Sequence, residues 1–542
     1  MKKAMLTVCG LMVLTAVVPA KPLNVVFILA DDLGITDIAA YANHYTGKPM
    51  DELFYETPHM DRLVGKGIVF SQYYANQLCS PTRAALMTGQ YAARHGFTTA
   101  TPLLPTYYNQ GMDTPEGSSP HDILGHKKNK NKQQAWTNGR SNTGLDPALS
   151  TLPKVLKSHR SAFIGKWHLG GHGAEGFQPL DQGFDEAPAW FDAGGSTYFN
   201  WAQHWNSKKL PYSKMPQKES KMGRAGPAPY AEYLTDDLTD RAVRYIEDAV
   251  ADQKAGKDDR PFFLYFNHFA VHTPLQAPEE TIAHFEGKSQ KGTLGHENAT
   301  YAAMVKHLDD SVGRILQTLE KCDVDKDTLV VLTSDNGGVE YSKPAATDNY
   351  PFKGGKACLH EGGVRVPLIY WQPGRFEGGV WCDTPANCID QLPTLAALTG
   401  NEIPKDVDGI SLVPLLEAPA EKTPPRTFYW HYPFNVGVKH PDDGLPLTPH
   451  SGIRVGDYKL LWDWHGKLSL YDIEKDPYEA NDLSESMPEK RDQLMVQLRS
   501  WLKANVAPRY LPVRNPNYKE QKDYRPYPFV DLTGDLQLLE VK

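Results

Sequence analysis

Cysteine is scarce, at six in 542 residues, so the chain is held by a core and not by a disulfide framework. No Cys/His spacing resembles a zinc site. Long hydrophobic runs are missing too. The longest, residues 4–18, offers roughly 15 apolar positions where a spanning helix needs ~20, which argues against stable membrane insertion. Positive charge is in deficit, with 57 Lys and Arg against 65 Asp and Glu and a net charge of −8. Nothing in that balance points to a nucleic-acid partner, and any anion site must be a local cluster of cations in an acidic protein. No internal repeat or disordered composition is visible. With 40% apolar and 23% charged residues, the chain has the make-up of a globular enzyme with one large domain and a smaller one.

What is present begins with an address. Lys2 and Lys3 precede the apolar run, and Val18-Pro19-Ala20 gives small residues suited to cleavage before Lys21. Residues 1–20 read as a signal peptide, with export to the periplasm or secretion as the expectation. Cys9 lies inside the apolar run, not at its end, which argues against lipid modification. Setting aside Cys9 and Cys79, the remaining Cys322, Cys358, Cys382 and Cys388 allow three pairings. Cys382 with Cys388, the nearest in sequence, is the preferred pair.

Residues 24–30 form an unbroken apolar run that ends in Asp31-Asp32. Such a run reads as a strand buried on both faces, as in a parallel sheet. The design recurs. Residues 161–165 lead into Lys166-Trp167-His168, residues 261–266 lead to His268 and His272, and residues 329–333 lead into Asp335-Asn336-Gly337-Gly338. Helical patterns over 235–250 and 301–321 lie between them. The alternation predicts an α/β fold, with the ligand outside the carboxyl ends of the strands. A single polar strand end would as readily face solvent; four with complementary chemistry point to one site.

Two regions read as insertions. Residues 101–150 are rich in Pro, Asn, Gly, Lys and Gln, and residues 192–230 mix aromatics with basics, as in Tyr198-Phe199-Asn200-Trp201-Ala202-Gln203-His204-Trp205. Aromatic and cationic side chains together suit a sugar bearing anionic groups, which makes the second insertion the candidate for specificity. Residues 417–425 look like a linker, giving domains at 21–425 and 426–542. Beyond it, residues 451–461 and 468–472 alternate as hairpin strands do, and a helix over about 489–504 should pack on them.

The stretch around which the rest is arranged is Cys79-Ser80-Pro81-Thr82-Arg83-Ala84-Ala85-Leu86-Met87-Thr88-Gly89. Proline suits a first helical turn, and the free amides there favour an anion. Cys79 therefore sits at a helix entrance with Arg83 one turn on. Asp31, Asp32, Asp335 and Asn336 supply only oxygen ligands, which suits calcium or magnesium better than zinc.

The Cys79 stretch closely resembles the signature of type I sulfatases, in which the cysteine is oxidised to Cα-formylglycine. The resemblance runs in the family's order through Gly165-Lys166-Trp167-His168, Ser334-Asp335-Asn336-Gly337-Gly338, Gly354-Gly355-Lys356 and Glu361-Gly362-Gly363-Val364-Arg365-Val366-Pro367. It departs at Gln77, where a small residue is usual, and at Ser158-His159, where Gly-Tyr is usual. The resemblance implies an alkaline-phosphatase-like α/β fold with a mixed, mainly parallel sheet and a smaller C-terminal α+β subdomain built on an antiparallel sheet. It further implies one calcium ion held by Asp31, Asp32, Asp335, Asn336 and the modified Cys79, and a maturation enzyme that generates the formylglycine.

Arg83, Lys166, His168, His272 and Lys356 then fall on positions that hold the sulfate and move protons. In that scheme Asp335 takes the proton of the attacking hydroxyl and His272, preferred over His268, protonates the leaving oxygen. His168 deprotonates the second hydroxyl to expel sulfate. The expected activity is sulfate-ester hydrolysis on a sulfated mono-, oligo- or polysaccharide. A phosphonate monoester or phosphodiester hydrolase, and a non-catalytic sugar-binding relative, are the alternatives.

Overall fold

The computed structural model describes residues 22–100, 132–142, 144–170, 176–205, 231–376, 378–421 and 423–539. The signal-peptide expectation over 1–20 lies outside them, as do residues 101–131 of the first insertion and 206–230 of the second. Among the described residues no helix is long and apolar enough to cross a membrane.

Eight strands form the main sheet. In chain order they are β1 (Asn24–Ala30), β2 (Ile68–Phe70), β3 (Arg160–Lys166), β4 (Glu186–Phe191), β5 (Phe262–Asn267), β6 (Thr328–Ser334), β7 (Leu368–Trp371) and β8 (Val380–Cys382). Their order across the sheet is β8-β2-β7-β6-β1-β5-β3-β4. Every pairing is parallel except those of β7, which runs antiparallel to both β2 and β6. The apolar run of β1 is central, and its side chains alternate between two cores as the pleat requires. Val26, Ile28 and Ala30 enter one core, while Val25, Phe27 and Leu29 enter the other.

The first core is closed by helices α1 (Pro58–Lys66), α3 (Leu234–Lys254) and α4 (Ala299–Lys321), and the second by α2 (Cys79–Thr88) and α5 (Gln391–Leu398). In α4 the buried positions Tyr301, Met304, Val305, Leu308, Val312, Ile315, Leu316 and Leu319 fall on one stripe. The Asn298 side chain caps it by accepting from the Tyr301 N–H at 3.1 Å. Helix α2 is buried along its whole length and ends at Gly89, whose φ of 67° forms a left-handed C-cap.

The second sheet is antiparallel, in the order β9 (Thr427–Tyr432), β10 (His450–Val455), β11 (Tyr458–Asp463) and β12 (Leu468–Asp472). One face packs Ile453, Leu460, Trp462 and Leu470 on helix α6 (Pro488–Asn505) through Leu494, Leu498 and Leu502. The other presents Phe428 and Trp430 to Tyr74, Leu359 and Val364 of the large domain.

The expected disulfide is absent: Cys322, Cys358, Cys382 and Cys388 are all free thiols. Cys382 ends β8 in the main sheet, whereas Cys388 follows a separate two-stranded pairing of residues 386–387 with 73–74, where its Sγ faces the Asn387 side chain at 3.4 Å. Burial pushes the Cys382 thiol up to about 11 and the Cys358 thiol to about 12, so both stay protonated.

Candidate active site

The carboxyl ends of β1, β3, β5 and β6 open on one pocket, and helix α2 brings Cys79 to it. Arg83, one turn into α2, donates from Nε and Nη2 to Asp335 Oδ2 at 3.0 and 2.7 Å and from Nη1 to the Lys166 carbonyl at 3.0 Å. This fork fixes Asp335 at the end of β6 against β3. The Asp32 N–H donates to the other Asp335 oxygen at 3.1 Å. Lys166 Nζ pairs with Asp31 Oδ2 at 2.6 Å, and Lys356 Nζ pairs with Asp32 at 2.7 and 2.8 Å. Asn336 Nδ2 donates to Asp32 Oδ1 at 2.8 Å. His168 Nδ1 stands 3.3 Å from Cys79 Sγ, and His272 Nε2 stands 3.6 Å from Asp32 Oδ2.

Two close approaches explain why glycines recur in these motifs. A Cβ on Gly165, whose φ is +105°, would lie 1.7 Å from the Asn267 carbonyl, so only glycine lets β3 turn Lys166 inward. A Cβ on Gly337 would meet the Gly362 carbonyl at 1.8 Å, so the turn after Asn336 nests directly against the Glu361-Gly362-Gly363 segment. Asp32 and His168 themselves hold left-handed φ of 64° and 57°. For residues with a Cβ this is strain of about 1–3 kcal/mol each, of the kind that collects where side chains must be aimed.

Lys166, Lys356 and Arg83 match the three carboxylates one for one, but burial leaves Asp31 incompletely compensated. Burial, with Asp335 and Asp32 adjacent, drives the Asp31 carboxyl well above the usual range, and Lys166 and Arg83 only partly oppose it. For Asp32 burial pushes up, but Lys356 and Lys166 outweigh it and hold the carboxyl low; Arg83 and Lys166 do the same for Asp335. Burial and Lys356 pull His272 down to about 3, so it is neutral here.

A cation fits these donors. Asp31 Oδ1 and Asn336 Oδ1 are buried without a hydrogen-bond partner. Ligand atoms of Asp31, Cys79 and Asp335 lie within 4.8 Å of one another, as do those of Asp31, Asp32 and His272. The acidic and amide groups offer oxygens alone, the choice of a hard cation.

All the residues singled out from sequence, Asp31, Asp32, Cys79, Arg83, Lys166, His168, His272, Asp335, Asn336 and Lys356, thus meet at one place. His268 does not. Its Nε2 lies 3.1 Å from Ser311 Oγ on α4, away from the pocket. The aromatic stretch of the second insertion also departs from expectation, because Tyr198, Trp201 and Trp205 are core residues no more than 5% exposed. They pack on Phe191, Phe269 and Tyr233, and no sugar platform is formed from them. Tyr198 Oη reaches the Phe269 and His272 carbonyls at 2.5 and 2.8 Å, so it supports the His272 turn from beneath.

Sequence reasoning missed Gly194 and Gly195, which lie against the rings of His168 and His272. Tyr341, 45% exposed and within electrostatic reach of Lys356, Asp32 and Cys79, was missed as well. A glycine pair inside an aromatic-rich stretch was the available signal for the first two. Tyr341 carried none.

A sulfatase family model matches residues 23–401, and a model of the C-terminal region of N-sulphoglucosamine sulphohydrolase matches residues 354–507. Human N-acetylgalactosamine-6-sulfatase is 33% identical over 405 residues, covering 73% of this chain and 66% of its own length. A sulfatase of Formosa agariphila is 29% identical over 540 residues, covering 90% and 89%. The crystal structure of Ps i-CgsB in complex with k-i-k-neocarrahexaose superposes with a TM-score of 0.67 at 26% identity, covering 92% of this chain and 94% of that one. With the Cys79 motif, the strand-end pocket and these matches in agreement, the chain belongs to the type I sulfatase family of the alkaline-phosphatase-like superfamily, enzymes that hydrolyse sulfuric esters.

Proposed function

We propose that this protein is an exported, calcium-dependent sulfatase that removes sulfate from a sulfated carbohydrate, using Cys79 in its Cα-formylglycine form. The observation that carries the reading is the pocket's own imbalance: three buried carboxylates and an amide oxygen, two of whose oxygens lack donors, around a side chain at a helix entrance. The sugar class is supported by the names of similar proteins, one an N-acetylgalactosamine-6-sulfatase and one crystallised with a neocarrahexaose. Export is supported by the charge and apolar pattern of residues 1–20.

Asp31, Asp32, Asp335, Asn336 and position 79 would hold the calcium, which supplies charge for the sulfuryl oxygens and acidifies a hydroxyl at position 79. The hydrated aldehyde supplies two hydroxyls, one to attack sulfur and one to release sulfate. The chain's other groups follow from their places. Asp335, fixed by Arg83, is the proton acceptor beside position 79. Lys166 and Lys356, which neutralise Asp31 and Asp32, would be free to meet the sulfuryl oxygens with a divalent ion bound.

His168, 3.3 Å from the Cys79 sulfur, is the base that draws a proton from the second hydroxyl. His272 has its Nδ1 2.6 Å from the Thr273 carbonyl, which fixes the proton on Nδ1 and leaves Nε2 toward the pocket. Its neutral state changes when an anionic ester docks beside it, since a nearby negative charge favours imidazolium. His272 then protonates the leaving oxygen.

The test is a parallel panel of sulfated mono- and oligosaccharides and phosphodiesters, assayed on matured protein with calcium. Sulfate release should dominate; faster turnover of a phosphodiester overturns the assignment.

A further inference from the structure

The loop that follows Lys356 approaches the segment between β9 and β10. Ligand atoms of His360, His440 and Asp442 lie within 4.8 Å of one another there. His360 is only 2% exposed, and its Nε2 has no hydrogen-bond partner. Its Nδ1 faces Glu479 Oε2 at 3.1 Å, and a carboxylate only accepts, so the proton sits on Nδ1 and Nε2 keeps a free lone pair. Glu479 is held in turn by the Glu361 N–H at 2.7 Å and by Lys459 at 3.0 Å. A histidine whose far nitrogen is pinned by a carboxylate is the arrangement that orients an imidazole toward a metal.

Of the three, His360 and His440 line a small cavity of about 30 Å³, shared with His450, Cys358 and Asp463. A water-sized occupant needs roughly 10–15 Å³ measured this way, so the cavity admits an ion with little solvent. Lys353 engages one Asp442 oxygen at 2.7 Å and Lys467 lies 3.4 Å from the other, so Asp442 would exchange one of these contacts on binding.

We infer that His360 Nε2, a ring nitrogen of His440 and an Asp442 carboxylate form a second cation site, for a divalent transition metal of the zinc class, distinct from the strand-end pocket. Two imidazoles and one carboxylate are the donor set such an ion prefers, and calcium disfavours imidazole. The site joins the turn after Lys356 to the β9–β10 connection of the second sheet, so its occupancy ties the two sheets together beside a substrate-binding lysine.

The test uses full-length protein saturated with calcium, dialysed against Zn²⁺ and, separately, Co²⁺, with bound metal counted by mass spectrometry. One Zn²⁺ per chain should be retained, and Co²⁺ should give the visible absorption of an ion in a histidine-bearing site. His440→Gln and Asp442→Asn, both toward the surface, should each weaken binding at least 10-fold with an unchanged melting temperature in calcium alone. Glu479→Gln should weaken it 10–100-fold through the misoriented His360. Failure to retain Zn²⁺, or retention undiminished in both surface variants, overturns the proposal.

Discussion

The fold buries several charges together in two places, the strand-end pocket around Cys79 and the seam around Glu361 and Glu479, and only in the seam does every carboxylate oxygen have a donor or cation within 3.3 Å. In the seam, Lys459 lies 2.7 Å from Glu361 Oε1 and 3.0 Å from Glu479 Oε1. Glu361 Oε2 receives Tyr74 Oη at 2.8 Å and Arg365 Nη1 at 3.3 Å. Arg454 reaches Tyr74 and Gln72 from the second sheet. In the pocket, by contrast, Asp31 Oδ1 and Asn336 Oδ1 have no donor. A buried acceptor left open is costly unless something else comes to fill it. The difference separates charge that holds two domains together from charge that waits for a ligand.

Removing Cys79 should produce the largest effect. Cys79→Ala is expected to lower turnover of a sulfate ester by at least ~10⁴-fold, the scale for deleting a covalent nucleophile, with little change in melting temperature. Comparable activity in the variant would place the chemistry elsewhere. The seam should behave in the opposite way. Lys459→Met strands Glu361 and Glu479 and should cost about 3–5 kcal/mol of stability in denaturant unfolding, with turnover per folded molecule largely kept. A loss of activity without loss of stability would erase the distinction drawn here.

Calcium should stabilise the pocket and leave the seam indifferent. At a hundredfold excess over its dissociation constant it adds about 2.7 kcal/mol, and Asp31→Asn should abolish the gain while Lys459→Met preserves it. Equal calcium shifts in wild type and Asp31→Asn would rule out the proposed ligands.

The smallest effect sharpens the contrast from a third site. Asp309 on α4 accepts from the His59 and Met60 N–H groups at the start of α1, and burial raises its carboxyl to about 7. A carboxyl raised on folding contributes stability that is present at low pH and lost as pH climbs through the folded value. Of the roughly three pH units between the ordinary and the folded value, about two lie above pH 5, and at about 1.36 kcal/mol each they amount to about 2.5 kcal/mol. Stability should therefore fall by that amount between pH 5 and pH 8, and Asp309→Asn should flatten the decline. A parallel pH slope in the variant would exclude Asp309 as its cause.

Much of this was legible in the sequence because central parallel strands are apolar throughout and stop abruptly at polar residues. That pattern alone marks Asp31, Lys166 and Asp335 as strand-end residues, whereas His272, beyond the end of β5 at Asn267, was told from His268 through the family motif. Lys356 has no such marker. It arrives on a turn after a glycine pair and is recognisable through the family motif alone. The antiparallel β7 and the edge strand β8 were invisible, being four and three residues long with no period to read.

The aromatic stretch at 198–205 misled because aromatics at helical spacing serve a core and a sugar site equally well, and only burial separates the two. Arg365 shows the converse. It lies in a family motif yet turns from the pocket to donate to the Ser71 carbonyl at 2.8 Å and to cover Phe352.

The central claim is that an oxidised side chain at position 79, set among these charges, takes the sulfuryl group. The most direct measurement is mass spectrometry of the Cys79 peptide across preparations matured to different extents, each assayed for sulfate release from the same oligosaccharide. The account predicts that release rises in proportion to the fraction carrying aldehyde and extrapolates to zero for pure thiol. Full release from protein whose residue 79 is entirely cysteine would contradict it.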